Sequence, residues 1–269
     1  MKISIVTPTF NSEAVILNNV NSILNQSYSN FEHILIDNKS SDNTLNLAKK
    51  EYSIRNSTEK LRIKREKDNG IAEAFNKGIK TASGEIVGIL NGDDQYFDEY
   101  VLEKVMNCFK DENVLFVHGN IYFEDPIYGS NNRKPLLCPV TKAMPYNHPT
   151  MFFRKEVYSQ HGLFDTGYKF AMDFEFICCL NKSIIDFNSR GFYLEGAPLV
   201  KMLAGGASWK NELETIEETK NVLKKYDYWN FEAKKNYFLR KLRTKTKYLL
   251  SVIKMEKVVA RWRKRKWDN

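Results

Sequence analysis

The sequence predicts an α/β fold, a mixed and mainly parallel sheet flanked by helices, followed by a helical, basic C-terminal extension. Three observations predict it. Short apolar runs alternate with segments of helical periodicity over about the first 118 residues, the pattern of successive βαβ units on a parallel sheet. Three of those strands deliver acidic residues to the same structural station, Asp37, Asp68 and Asp93. Beyond Lys234 the chain is helical in composition and strongly basic.

The elements follow in order. A strand over about 2–7 enters within a few residues of Met1 and leads into Pro8 and Phe10, and a helix spans about 13–26. Phe31 to Ile36 is an extended apolar run that stops at Asp37; Ser40, Ser41 and Asp42 then offer N-cap groups to a helix at about 42–52. The strand at about 61–66 alternates apolar and polar residues, and Asp68, Asn69 and Gly70 precede a helix at about 71–81 carrying Ala72, Ala74, Phe75 and Ile79. The apolar strand at about 85–90 runs into Asn91, Gly92, Asp93 and Asp94; a helix at about 98–110 and a strand at about 114–118 complete the series. Past Gly119 the alternation fails. Asn120 to Cys138 reads as a hairpin around Gly129, Pro149 to Phe153 as a strand and Glu156 to His161 as a short helix. Leu194 to Leu203 reads as a last extended segment before Gly205 and Gly206, and Asn211–Lys225 and Phe231–Lys266 as helices.

The strand ending in Asp93 and Asp94 is the most informative. Two carboxylates at the end of a buried strand are costly unless a cation or strong donors hold them. Open α/β sheets bind ligands at the carboxyl ends of their strands. Hard oxygen ligands suit Mg²⁺ or Mn²⁺, and such an ion implies a phosphorylated partner. A solvated turn is the plain alternative for each acidic residue taken singly. Three at one station argue for one site.

Ser4 to Asn11, Ile34 to Thr44, Asp68 to Ile79 and Leu90 to Asp94, in that order and spacing, resemble the family 2 glycosyltransferases, in particular those assembling bacterial polysaccharides. The resemblance continues through His148 to Arg154, Gly162 to Asp165 and Met172 to Glu175, to Gly205, Gly206 and Ser208. It covers about three-quarters of the chain. It implies a GT-A-like domain over 1–208 with the extension over 209–269, and inverting, metal-dependent transfer of a hexosyl or N-acetylhexosaminyl group from a nucleoside diphosphate sugar, in all expectation a uridine one. Asp37 and Asp68 would bond the uracil and ribose, whose N–H and hydroxyl groups are donors that a carboxylate reads. Pro8 and Phe10 would flank the base. The family commonly has Asp where this chain has Asn91, so Asn91 is assigned to the ribose, the metal chiefly to Asp93, and Asp94 to support or sugar contact. Asp173 matches the catalytic base of the family; its plain alternative is a helix N-cap. Asp165 and Glu175 are reserves for acceptor binding, and His148 is placed near the diphosphate or the acceptor. Gly205, Gly206 and Ser208 would form a loop closing over the donor phosphates. His33, His118 and His161 read as structural.

Charge separates the chain into two parts. Of a net +8, the stretch from Lys234 to the end carries +12, with 14 lysines and arginines against two acidic residues, so the remainder is mildly acidic at −4. No nucleic-acid-binding motif accompanies that basicity. Phe238, Leu242, Leu249, Ile253, Val259 and Trp262 recur at helical spacing among the basic residues, the pattern of a helix lying on an anionic membrane surface. A lipid-linked glycan acceptor would explain it; packing on its own domain is the alternative. With no leader-like N-terminus and no apolar stretch long enough to span, a cytoplasmic location, peripheral on the inner face of the membrane, is expected. Cys108, Cys138, Cys178 and Cys179 lack paired CxxC spacing and read as reduced core residues. A sugar nucleotidyltransferase is disfavoured because no glycine-rich phosphate loop follows the first strand. A sugar-nucleotide-binding partner without catalysis would bind and not turn over.

Overall fold

A computed structural model describes residues 1–125, 129–206 and 211–252. Its centre is β1 (Ile3–Thr9), which pairs in parallel with β2 (Phe31–Asp37) on one side and β4 (Ile86–Ile89) on the other; β3 (Leu61–Arg65) extends the β2 side. The chain therefore builds outward through β2 and β3, then returns past β1 to start β4. That reversal opens a crevice at the carboxyl ends of β1 and β4, where doubly wound sheets take their ligands. β2 and β4 are buried along their whole length, as near-continuous apolar runs covered on both faces should be.

Helices α1 (Ile16–Leu24), α2 (Thr44–Ile54), α3 (Ile71–Thr81) and α4 (Val101–Cys108) cover the sheet, with ends within three residues of the sequence reading. Gly78 lets α3 approach β1 closely, because a Cβ there would lie 2.1 Å from a Val6 methyl. Two polar residues of β2 are held inside by dedicated partners. His33 sits between the Tyr52 hydroxyl at 2.8 Å and Thr7 Oγ1 at 2.9 Å. Glu32 accepts hydrogen bonds from Ser4 and Ser83 and pairs with Lys2 and Arg62.

After β5 (Gln95–Tyr96) and β6 (Phe116–Gly119) the architecture changes. β7 (Ile121–Glu124) and β8 (Asn131–Arg133) form the expected hairpin. The segment read as a strand from Pro149 begins instead with a helical turn, His148–Thr150, and only Phe152–Arg154 is extended, as β9. β9 inserts between β4 and β6, antiparallel to both. Helix α5 (Lys155–His161) follows it, then α6 (Met172–Ser183). The single extended segment expected at 194–203 is two strands in different sheets. β10 (Gly191–Leu194) ends the main sheet beside β6, and β11 (Val200–Leu203) joins a second sheet. Gly196, at φ +116°, with Pro198 close behind, breaks the run between them. The main sheet has seven strands in the order β10-β6-β9-β4-β1-β2-β3, and the second has four, β5-β11-β7-β8.

The extension supplies α7 (Glu212–Lys225) and α8 (Phe231–Val252). The rest of the expected terminal helix, with Ile253, Val259 and Trp262, lies outside the described residues. α7 packs on α6, burying Ile216, Val222 and Leu223, and α8 is tied down by Ala233, which is fully buried, and by Thr141, which bonds Glu232 and Asn236. Of the cysteines only Cys178 is buried; the other three are half-buried, and all are free thiols.

Candidate active site

The sheet edge and the second sheet position two groups of side chains. In the first, β2 ends on Asp37, which is wholly buried. Its carboxylate accepts hydrogen bonds from the Ser40 N–H and hydroxyl and from Thr9 Oγ1, and Arg65 lies 3.4 Å away. Arg65 also donates to the Ser40 carbonyl, which ties the β2 loop to β3. Asp68 reaches the same edge: its N–H donates to Asn38 Oδ1 and its carboxylate accepts from the Gly70 N–H. Gly70, at φ +152°, makes the bend into α3. Burial pushes the Asp68 carboxyl up, the Gly70 bond opposes this, and the charge of nearby Asp37 adds to it. At the end of β1, Pro8 is half-buried and Phe10 is 59% exposed, an aromatic face open to solvent beside these carboxylates.

The turn after β4 is organised by Asn19 of α1. Its amide donates to the backbone carbonyls of Asn91 and Asp94, each at 2.9 Å. Asp94 is buried and accepts only the Asn91 amide among side chains of the described residues. Burial first, and the charge of Asp93 second, raise its carboxyl well above the usual range. Asp93 is half-exposed, and Asn91 Oδ1 is buried without a donor. Two carboxylates within electrostatic reach of each other and an amide oxygen lacking a partner form a hard-oxygen donor set that fits a divalent cation. No third acidic, histidine or cysteine ligand joins them among the described residues. Such an ion would draw its other ligands from water and a bound phosphate, as Mg²⁺ habitually does.

The second group lines a cavity of about 270 Å³ between α6, β11 and the two C-terminal helices. Asp173 enters it from the first turn of α6. Gly205 and Gly206 close one side; Ser208 lies outside the described residues. The Asp173 carboxylate accepts the Phe174 N–H, so it has capacity to spare. It does not cap the helix. Glu218 of α7 instead anchors the segment leading into the helix, its carboxylate accepting the N–H groups of Lys169, Phe170 and Ala171 at 2.8–3.0 Å. His148 packs between the rings of Phe75 and Phe164 and lies within electrostatic reach of Asp173. Burial pulls its imidazole down, and Asp173 opposes that. Arg240 of α8 also opens onto the cavity, with burial lowering its basicity and Glu212 and Asp173 supporting its charge.

Asp165 and Glu175 are not among the residues lining this cavity. Both are drawn to Lys225, at 2.8 and 2.6 Å, and Glu175 also accepts the Tyr226 hydroxyl, at the seam between α6 and α7. His33 and His118 are buried, and burial pulls their imidazoles down to about 3 and about 4. Sequence reasoning missed Asn19, Arg65, Glu218 and Arg240. The first three act on backbone or on buried carboxylates contributed from elsewhere in the chain, and Arg240 was one of many basic residues in the tail. None carried a local signal.

A mainly parallel seven-stranded sheet flanked by helices, in this strand order, is a fold of the GT-A type. The chain belongs to glycosyl transferase family 2, whose pattern matches residues 4–180. A PGL/p-HBAD biosynthesis glycosyltransferase of Mycobacterium bovis is 28% identical over 177 residues, 64% of this chain and 67% of that protein. Another curated relative is matched over only 31% of its length, so the chain spans about a third of it. Among solved structures, S. aureus TarS 1-349 in complex with UDP-GlcNAc is similar, with a TM-score of 0.64 at 19% identity, covering 83% of this chain and 66% of that one. The mannosyltransferase PcManGT from Pyrobaculum calidifontis, in complex with GDP-Man and Mn²⁺, gives 0.63 at 15% identity over 100% of this chain and 88% of that one.

Proposed function

We propose that the protein transfers a sugar, with inversion, from a uridine diphosphate sugar to a hydroxyl of a lipid-linked glycan in surface polysaccharide assembly. The observation that carries this is the pairing of a carboxylate-rich crevice at the ends of β1, β2 and β4 with a separate cavity that presents Asp173. Asp37, held rigid by Ser40 and Arg65, and Asp68 read the base and ribose, and the open ring of Phe10 with Pro8 flanks the base. Asn91 contacts the ribose. Asp93, with Asp94 in support, would hold Mg²⁺ or Mn²⁺, which when bound offsets the charge of the departing diphosphate. Asp173 accepts the proton of the acceptor hydroxyl as that oxygen attacks the anomeric carbon. Gly205, at φ +106°, and Gly206 would approach the donor phosphates.

Helix α8 supports contact with an anionic membrane. Phe231, Phe238, Leu242 and Leu249 are all more than half exposed and lie within about 20° of one line along the helix. Lys234, Lys235, Lys241 and Lys245 flank that line. Among the described residues no helix is long and apolar enough to cross a membrane.

The test is a thermal-shift panel of nucleoside diphosphates and their sugars with and without Mn²⁺, since a ligand that binds only the folded state raises its apparent stability. The reading expects uridine diphosphate to stabilise most and Mn²⁺ to enlarge the shift. A panel with no nucleotide response would overturn it.

A further inference from the structure

The geometry points to Arg240 as the residue that selects an acceptor bearing an anionic group, a phosphate or a carboxylate, beside the hydroxyl that Asp173 deprotonates. This rests on the function proposed above.

Arg240 lines the cavity from the side of α8 that carries buried Ala233 and Thr244, opposite Phe238 and Leu242, and keeps part of its surface exposed to solvent. Among the described residues Arg240 makes no hydrogen bond or ion pair. Of its acidic neighbours, Glu212 is already bonded to Lys247, and Asp173 acts on it from beyond ion-pair distance. The walls around it are largely apolar, from Phe123, Met144, Phe174, Met202 and Leu203. A charge partly shielded from water by such walls attracts an opposite charge more strongly than one in open solvent. The planar fork of a guanidinium matches a phosphate or carboxylate with two parallel hydrogen bonds. None of Asp37, Asp68, Asn91 or Asp93 lines this cavity. The anion is therefore assigned to the acceptor, and the donor's diphosphate is the other source that the binding measurement below separates.

The experiment compares wild type with Arg240→Gln and Arg240→Lys, using UDP-GlcNAc and Mn²⁺ and three acceptors that share one sugar: methyl glucoside, its 6-phosphate and methyl glucuronide. In the wild type kcat/KM should favour a charged acceptor by about tenfold or more, and whether it is the phosphate or the glucuronide identifies the anion. Arg240→Gln should bring that ratio toward one, and Arg240→Lys should restore part of it. Equal losses on neutral and charged acceptors, or weakened uridine diphosphate binding by calorimetry, would overturn the assignment. A donor-free measurement separates this from the proposed function. Inorganic phosphate should raise the melting temperature of the wild type more than that of Arg240→Gln, and equal shifts in the two would count against Arg240 even if transfer were robust. Failure of uridine diphosphate to bind the wild type would overturn the function and leave the phosphate comparison to decide Arg240.

Discussion

The crevice at the sheet edge and the cavity beside it are assembled in different ways. The crevice is made of residues that directly follow strands: Asp37 ends β2, Asp68 lies three residues past β3, and Asp93 lies four past β4. Each is placed by its own βα unit, and Asn19, Thr9 and Ser40 fix it from the same N-terminal third. The cavity draws on residues from Phe123 to Arg240, out of the second sheet and three helices. Its carboxylate Asp173 is carried by a helix whose lead-in segment is anchored from α7 by Glu218, 45 residues further on. A site built from local units depends on each strand separately, whereas one built between elements depends on their docking. Damage to the extension should therefore reach the chemistry before it reaches nucleotide binding.

The largest expected effect is at the crevice. Asp93→Asn should reduce transfer to background and remove the Mn²⁺-dependent part of uridine diphosphate binding, while metal-free binding remains. Calorimetry with and without Mn²⁺ checks this, and an unchanged metal response would move the ion elsewhere. At the cavity, Asp173→Asn should lower turnover by about a hundredfold or more, the usual consequence of losing a general base, with uridine diphosphate affinity preserved. If single-turnover rates stay near normal, Asp173 is not the base.

Acid should act on the sheet itself. Burial alone would raise Glu32, but hydrogen bonds from Ser4, Ser83 and Lys2 outweigh it and hold its carboxyl at about 2. A depressed carboxylate stabilises the fold above its unfolded value, near 4.5, and that contribution is lost as pH falls from there toward about 2. It amounts to at most about 3 kcal/mol. Glu32→Gln should flatten the acid limb of the urea-denaturation profile, and a variant with the wild-type pH slope would contradict this.

Glu218→Ala tests the difference between the regions most directly. It leaves three N–H groups ahead of α6 without their acceptor, which should cost about 1–3 kcal/mol and slow transfer, yet spare nucleotide affinity. Equal losses in binding and turnover would mean that the two sites are not independent. The smallest effect on the folded protein is expected on the outer face of α8. Phe238→Ser with Leu242→Ser should change stability by less than about 0.5 kcal/mol, as exposed substitutions do, but reduce sedimentation with anionic vesicles. Unaltered sedimentation would remove the membrane from the proposal.

The alternation of strands and helices, the three acidic stations and the basic tail were legible in the sequence because each is a local pattern. A buried parallel strand must be apolar, its end must turn, and a carboxylate at that turn is visible from its neighbours alone. Asp173 was readable only through the family's motif, since beside Phe174 it looks like any helix-opening acid. Only the tertiary structure decided that β9 runs antiparallel into the sheet, that 194–203 divides between two sheets, and that Glu218 anchors the segment leading into α6. The same holds for Asp165 and Glu175 turning to Lys225, and for Arg240, one among 14 basic residues of the tail, reaching the cavity. The physical reason is one of range. Periodicity and turn chemistry are set within a few residues, whereas a hydrogen-bond partner or a cavity wall is chosen by whichever distant segment the packing of the core brings alongside.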